Sequence, residues 1–269
     1  MKRTIIYICI VIAAAVTLYG CGGANRKSND SKEHIFVSIT PLRPLVESIV
    51  GDDFDISVLV PAGASPESFE PTPRQFLALN RAKWVFAVGL IDFERNILSK
   101  IEQKEKITDL SHGIDPHIWT SPIALKRMAE NAYNTIAAAY PDSAKYKTNY
   151  EALTTQLDSL DSTVRTLCEG ARTRQFIIYH PALTYLARDY GLEQIAIEHE
   201  GKEPSAKRLS SIIGNARTEG INRIFYQSTY PRSSVEVIAE DIGAEPVEID
   251  PLREDIFANI KEITRLITE

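Results

Sequence analysis

Two histidines stand where short hydrophobic runs give out. His180 follows the run Gln175–Tyr179, in Tyr-His-Pro-Ala-Leu-Thr-Tyr-Leu. His117 lies in Asp115-Pro-His-Ile-Trp-Thr-Ser-Pro, between a β-rich run and a helix start. Asp250 ends another β-rich run, in Glu-Ile-Asp-Pro-Leu. The run Ile56–Val60 opens into a proline-rich loop, 61–73, with two carboxylates, Glu67 and Glu70. In open parallel sheets, ligands bind at the carboxyl ends of the strands. Four strand-end loops thus each offer a nitrogen or oxygen donor, and no thiolate joins them. Such a set suits Zn²⁺ or Mn²⁺. Plainer roles exist for each. Asp250 could cap the final helix, a histidine beside Trp119 could simply pack, and Glu67 could be a solvated loop residue. Of the other histidines, His34 sits at the edge of a polar N-terminal stretch and is expected to face solvent. His112 and His199 complete the five.

Competing chemistries lack their motifs. There is no G-x-G-x-x-G or G-x-x-x-x-G-K phosphate loop, no G-x-S-x-G elbow and no H-E-x-x-H. The three cysteines, Cys9, Cys21 and Cys168, cannot build a disulfide framework, a thiolate zinc site or a Cys-x-x-Cys redox pair. A net charge of -6 argues against a nucleic-acid partner, which would need a basic surface. With 44% hydrophobic and 25% charged residues in 269, the chain has a globular balance and can fill a core without staples.

The elements that must position these donors alternate. Ile35–Ile39, Ile56–Val60, Trp84–Val88 and Lys106–Asp109 read as strands, rich in Val, Ile and aromatics. Pro41–Val50, Pro73–Arg81, Phe93–Gln103 and Ser121–Tyr140 read as helices, the last with a Ser-Pro start. The second half repeats the theme. Strands are expected at Gln175–Tyr179, Gln194–Glu198, Asn222–Gln227 and Pro246–Ile249, and helices at Pro181–Tyr190, Pro204–Glu219, Ser233–Ile242 and Glu254–Thr268. This implies an α/β fold of two lobes, each with a parallel sheet and flanking helices.

Between the halves, residues 142–169 contain no Gly or Pro. Tyr146, Tyr150, Leu153, Leu157, Leu160, Val164 and Leu167 form one apolar stripe. A helix of this length would run about 42 Å. Three heptads could pair as a coiled-coil dimer. A single helix lying across both lobes uses the stripe equally well, and that reading makes the chain a monomer. The domains are then a lobe at 34–140, a connecting helix at 141–170 and a lobe at 171–269, with a cleft between the lobes.

The N-terminus reads as an address. Lys2 and Arg3 precede Ile5–Leu18, an uncharged apolar run suited to a signal peptide and too short to span a bilayer comfortably. The run ends Leu18-Tyr19-Gly20-Cys21, which resembles a lipobox. Residues 1–20 are then a lipoprotein signal peptide, Cys21 the lipidated N-terminus, and 21–33 a flexible tether of roughly 20 Å reach.

The whole chain beyond the tether resembles the solute-binding lipoproteins of zinc and manganese ABC importers, the ZnuA/TroA-like group. Ser65-Pro-Glu-Ser-Phe-Glu-Pro-Thr-Pro is similar to that family's first ligand loop, Pro-His-x-Tyr/Phe-Glu-Pro-Thr-Pro. Asp115-Pro-His-Ile-Trp resembles its second ligand segment and Tyr179-His-Pro-Ala-Leu-Thr-Tyr-Leu-Ala-Arg-Asp-Tyr-Gly-Leu its third. Glu203-Pro-Ser and Ile249-Asp-Pro-Leu resemble its C-terminal segments. The resemblance implies two lobes joined by a long backbone helix, with the metal held between them by Glu67, His117, His180 and Asp250. Glu67 replaces the usual histidine, and Gln227 stands where many members carry glutamate. The implied function is capture of a divalent metal, Zn²⁺ before Mn²⁺, outside the cytoplasm on a lipid anchor, and delivery to a membrane permease. The protein would not be an enzyme. A metal-dependent hydrolase using the same cleft, or an adhesin-type lipoprotein with a degenerate site, are the alternatives.

Overall fold

The computed structural model describes residues 32–111, 113, 115–198, 202, 204–230 and 232–269. The expected signal peptide, Cys21 and almost all of the tether lie outside these residues, as do His112, His199 and Glu203.

The first half contains strands β1 (His34–Val37), β2 (Asp55–Val58), β3 (Trp84–Ala87) and β4 (Ile107–Asp109). They pair in parallel in the order β2-β1-β3-β4. Helices α1 (Leu42–Val50), α2 (Pro73–Arg81), α3 (Asp92–Leu98) and α4 (Pro122–Ala139) accompany them. After α5 (Ala144–Glu169) the second half repeats the pattern. Its strands are β5 (Gln175–Ile178), β6 (Glu193–Ala196), β7 (Arg223–Tyr226) and β8 (Glu245–Glu248), in the parallel order β6-β5-β7-β8. Helices α6 (Thr184–Tyr190), α7 (Ala206–Glu219), α8 (Arg232–Ile242) and α9 (Ile256–Thr268) flank it. Beyond the polar first residues of β1, β5 and β7, the central strands are buried and apolar, as two-sided coverage by crossover helices demands.

Helix starts follow their local chemistry. Thr72 caps α2 in a reciprocal box with Gln75, and Pro73 occupies the first turn. Ser121 caps α4 by accepting from Ala124 N, again with a proline, Pro122, in the first turn. The last helix is capped by Asp255, whose carboxylate accepts from Ala258 N at 3.1 Å. Asp250 therefore has no capping role. Several helices are shorter than their patterns suggest. α3 stops at Leu98, where Lys104 Nζ bonds the Leu98 and Ser99 carbonyls. α6 starts at Thr184 because Ala182 N turns back onto the His180 carbonyl at 2.7 Å. α9 starts after its Asp255 cap.

α5 spans 26 residues, about 39 Å. It packs on α1 and α4 of the first half and on α6 and α9 of the second. Tyr146, Leu153, Leu157, Leu160 and Val164 are buried along it. The buried face ends on Cys168 rather than Leu167, which is only half-buried. A straight helix drifts about 20° per heptad from a 3.5-residue repeat, so the stripe rotates by one position along its length. Tyr150 is half-buried and stacks on Tyr133 of α4, with centroids 4.3 Å apart. One continuous apolar cluster runs from β1 and β3 through α4 and α5 to Phe176, Ile178, Ile260 and Ile263. A second cluster fills the far face of the second sheet, around Ile224, Tyr226 and Val235.

One buried charge shapes the first sheet's loops. Glu94, 1% exposed, accepts from Val88 N at 2.9 Å, Gly89 N at 2.7 Å and Ile91 N at 3.3 Å. Burial raises its pKa above the usual value, against the pull of these donors. Gly89 has φ 89°, and a Cβ there would meet the Asp109 carboxylate at about 2.1 Å. Glu94→Gln should therefore cost about 1–3 kcal/mol, because the amide NH₂ must face a backbone N–H. Urea denaturation checks this, and an unchanged midpoint would show that the carboxylate does not hold the loop.

Candidate metal centre

Each donor lies in a segment that follows a strand, and backbone pairing runs a residue or two past the strand ends. Beyond β2, Leu59 N and Val60 N still bond Val37 O and Ser38 O at 2.9 and 3.0 Å. The chain then enters loop 61–73. Gln75 Nε2 ties the far end of that loop back to Leu59 O at 3.1 Å. Glu67 lies midway along it, its backbone N–H on Ser65 Oγ at 3.3 Å. Beyond β5, Tyr179 N bonds Phe225 O at 2.8 Å. Beyond β6, Ile197 N and Glu198 N bond Ile178 O and Tyr179 O, both at 2.9 Å. That register sets Glu198 beside His180.

The two imidazoles are oriented by carboxylates. His117 Nδ1 lies 3.0 Å from Asp115 Oδ1, which also accepts His117 N at 2.8 Å. His180 Nδ1 lies 3.2 Å from Glu198 Oε2. Donation from Nδ1 leaves Nε2 of each ring for the cavity. These Nε2 atoms are 3.2 Å apart, and Glu67 Oε1 is 3.1 Å from His180 Nε2. One ligand atom each from Glu67, His117 and His180 falls within 4.8 Å of the others. Tyr230 stacks on the His180 ring at 5.3 Å and 22°. Gln227, buried beneath, donates to the His180 carbonyl at 3.3 Å.

Electrostatics fit this arrangement. Burial disfavours a charged His180, yet Glu67 and then Glu198 outweigh it and raise the imidazole pKa. The His180 hydrogen bond holds Glu67 below the usual carboxylate range. Burial opposes ionisation of Asp115, but His117 lowers its pKa overall. A proton on His180 Nε2 would face Glu67.

Glu67, His117 and His180 thus converge. Asp250 lines the same cavity of about 310 Å³ but stays outside the three-residue cluster. It is exposed, and its Oδ1 accepts from Leu252 N at 2.8 Å. Glu70 faces a separate space of about 680 Å³ against Phe93 and Asn96. His34 is half-buried on Phe36 rather than solvent-facing, because β1 begins at it. Sequence reasoning did not single out Glu198 or Tyr230. The signal for Glu198 was available, since it ends a strand next to the His180 strand.

The halves are tied around this cavity. Trp119 Nε1 donates to Pro251 O at 2.9 Å, Ser121 Oγ to Asp189 Oδ2 at 2.6 Å, and Arg43 pairs with Glu254 at 3.1 Å.

The sequence profile of a family described as "Zinc-uptake complex component A periplasmic" matches residues 35–268. The chain belongs to this family. It is similar to the high-affinity zinc uptake system protein ZnuA of Bacillus subtilis, 26% identical over 92% of this chain and 87% of that protein. It is 25% identical to the zinc-binding lipoprotein AdcA of Streptococcus pneumoniae over 91% of this chain, spanning about half (55%) of AdcA. Among solved structures, a ZnuA deletion mutant with zinc bound is 35% identical, with a TM-score of 0.82 over 88% of this chain and 97% of that one. The two-lobed parallel α/β architecture is the family's fold.

In this member of the family, Glu67→Gln should lower the His180 titration midpoint in metal-free protein. The substitution removes the main raising influence and leaves the burial penalty. NMR of the imidazole checks it, and an unmoved or raised midpoint would contradict the pairing.

Proposed function

We propose that this protein captures a zinc ion outside the cytoplasm and presents it to the permease of an ABC importer. The observation that carries the reading is the convergence of two imidazole Nε2 atoms and one carboxylate oxygen, each imidazole backed by its own carboxylate. Ligating histidines characteristically donate their other ring N–H in this manner, which fixes the tautomer and strengthens the donor. The relatives named for zinc uptake and zinc binding point to the same cargo.

Glu67, His117 and His180 are the proposed ligands, with Asp250 the fourth after release of its contact to Leu252. Two imidazoles and two carboxylates neutralise the dication and suit a tetrahedral zinc shell. Capture exchanges the proton on His180 Nε2 for the metal, so affinity falls on acidification. The ligands come from both halves, so the ion bridges them. α5 and the cross-ties restrict the relative movement to small adjustments, and a permease that prefers the more open form would release the ion.

The proposal extends to the N-terminal segment, which lies outside the described residues. Residues 1–20 are a signal peptide, Cys21 carries the lipid anchor, and the tether leads to lobes 34–140 and 171–269 around the helix at 141–170. The folded part acts as a monomer. The hydrolase alternative has only the three-ligand geometry in its favour. The convergent donors weigh against a degenerate site in an adhesin.

Chelator-treated protein should bind one Zn²⁺ per chain in competition titrations. His180→Ala should abolish tight binding. Glu198→Gln should weaken it about 10–100-fold while leaving all ligands in place. Absence of 1:1 binding in the unaltered protein would reject the proposal.

A further inference from the structure

Glu67 differs from the histidine it replaces in having two possible ligand atoms. A carboxylate binding through one oxygen preserves a four-coordinate shell, which zinc prefers. Binding through both oxygens raises the coordination number, which suits Mn²⁺ and other hard cations. What restrains the second oxygen therefore influences which metal is held.

The structure treats the two oxygens differently. Oε1 faces His180 Nε2 at 3.1 Å. Oε2 lies 3.5 Å from the Tyr230 hydroxyl. Tyr230 is well placed to hold that position. Its ring lies on His180 at 5.3 Å and against buried Tyr179 at 5.1 Å, so the imidazole that binds the metal also sets the phenol. The hydroxyl also reaches Glu198. Glu198 accepts from His180 Nδ1 on Oε2 and keeps acceptor capacity, so the phenol's single proton lies between Glu198 and Glu67.

We propose that Tyr230 is a positioning residue that keeps Glu67 a one-oxygen ligand and so biases the cleft toward zinc over manganese. This rests on the metal-capture reading above. Tyr230 does not itself coordinate the cargo; its hydroxyl acts on Glu67 while its ring packs on His180. Its hydroxyl engages Oε2, leaving Oε1 as the free donor beside the two Nε2 atoms.

The test compares the unaltered full chain with Tyr230→Phe, which keeps the stacked ring and removes only the hydroxyl. Zn²⁺ and Mn²⁺ affinities are measured by chelator competition, and thermal melts verify the fold. The expected result is a Zn²⁺/Mn²⁺ affinity ratio that narrows by about tenfold in Tyr230→Phe, the lower end of the effect of an outer-shell partner. X-ray absorption at the zinc edge should show an added oxygen neighbour in the variant. An unchanged or widened ratio overturns the inference, as does a parallel loss for both metals, the mark of a packing role alone. If the unaltered chain binds neither metal, the metal-capture reading falls and the inference with it. If the chain binds zinc and the ratio does not move, only the inference falls.

Discussion

The site depends on one imidazole held from both sides. His180 gives Nδ1 to Glu198 and turns Nε2 toward Glu67 and His117. A buried imidazole with one carboxylate partner would carry a charge that burial penalises. With two, its charged form is favoured despite that penalty. Each partner comes from a different place. Glu198 arrives by sheet register, one strand over. Glu67 arrives from the other half of the molecule on a proline-rich loop. The His180 contacts therefore exist only when both sheets and the loop are in position.

That requirement explains the investment in rigidity. α5 lies across both halves, and its leucines join a core that runs through them. Each fully buried leucine contributes on the order of 1.5–3 kcal/mol, far more than an exposed ion pair such as Arg43–Glu254, worth about 0–1 kcal/mol. The Trp119–Pro251 bond is of another kind. Both groups are desolvated, so its loss would leave an indole N–H without a partner. It links the segment carrying His117 to the segment carrying Asp250. The motif residue beside the histidine thus serves geometry rather than coordination.

Local signals in the sequence were sufficient for most elements. Strand–helix alternation gave both parallel sheets, and Thr72 and Ser121 marked their helices because capping is a matter of a few adjacent residues. The long Gly- and Pro-free segment gave α5. What could not be read depends on distant partners. Glu198 becomes a support for His180 only through the β5–β6 register. Tyr230 matters because β7 lies next to β5. Asp250 shows the limit from the other side. Its place in the chain predicts a donor, but its side chain rests on Leu252 N, a contact set by loop conformation. His34 was read as exposed because its neighbours are polar, whereas the first strand begins at it.

The carboxylate at position 67 also changes how the metal-free site is satisfied. An imidazole there would leave His180 Nε2 facing two neutral rings, with Glu198 the one carboxylate left to balance an added proton. Glu67 supplies a second, directly facing charge that favours a proton on His180 Nε2. On the proposed reading, a captured cation must displace such a proton, so affinity falls on acidification. It also finds the donors already together, so less ordering is needed at the moment of capture. The substitution therefore exchanges some intrinsic affinity for pre-organisation. Its value depends on Glu67 being held still, which the loop alone, exposed and tied by Ser65 and Gln75 at its flanks, does not ensure. A partner from the opposite half is needed to fix the carboxylate, and the aromatic side chain stacked on His180 stands where it can do so.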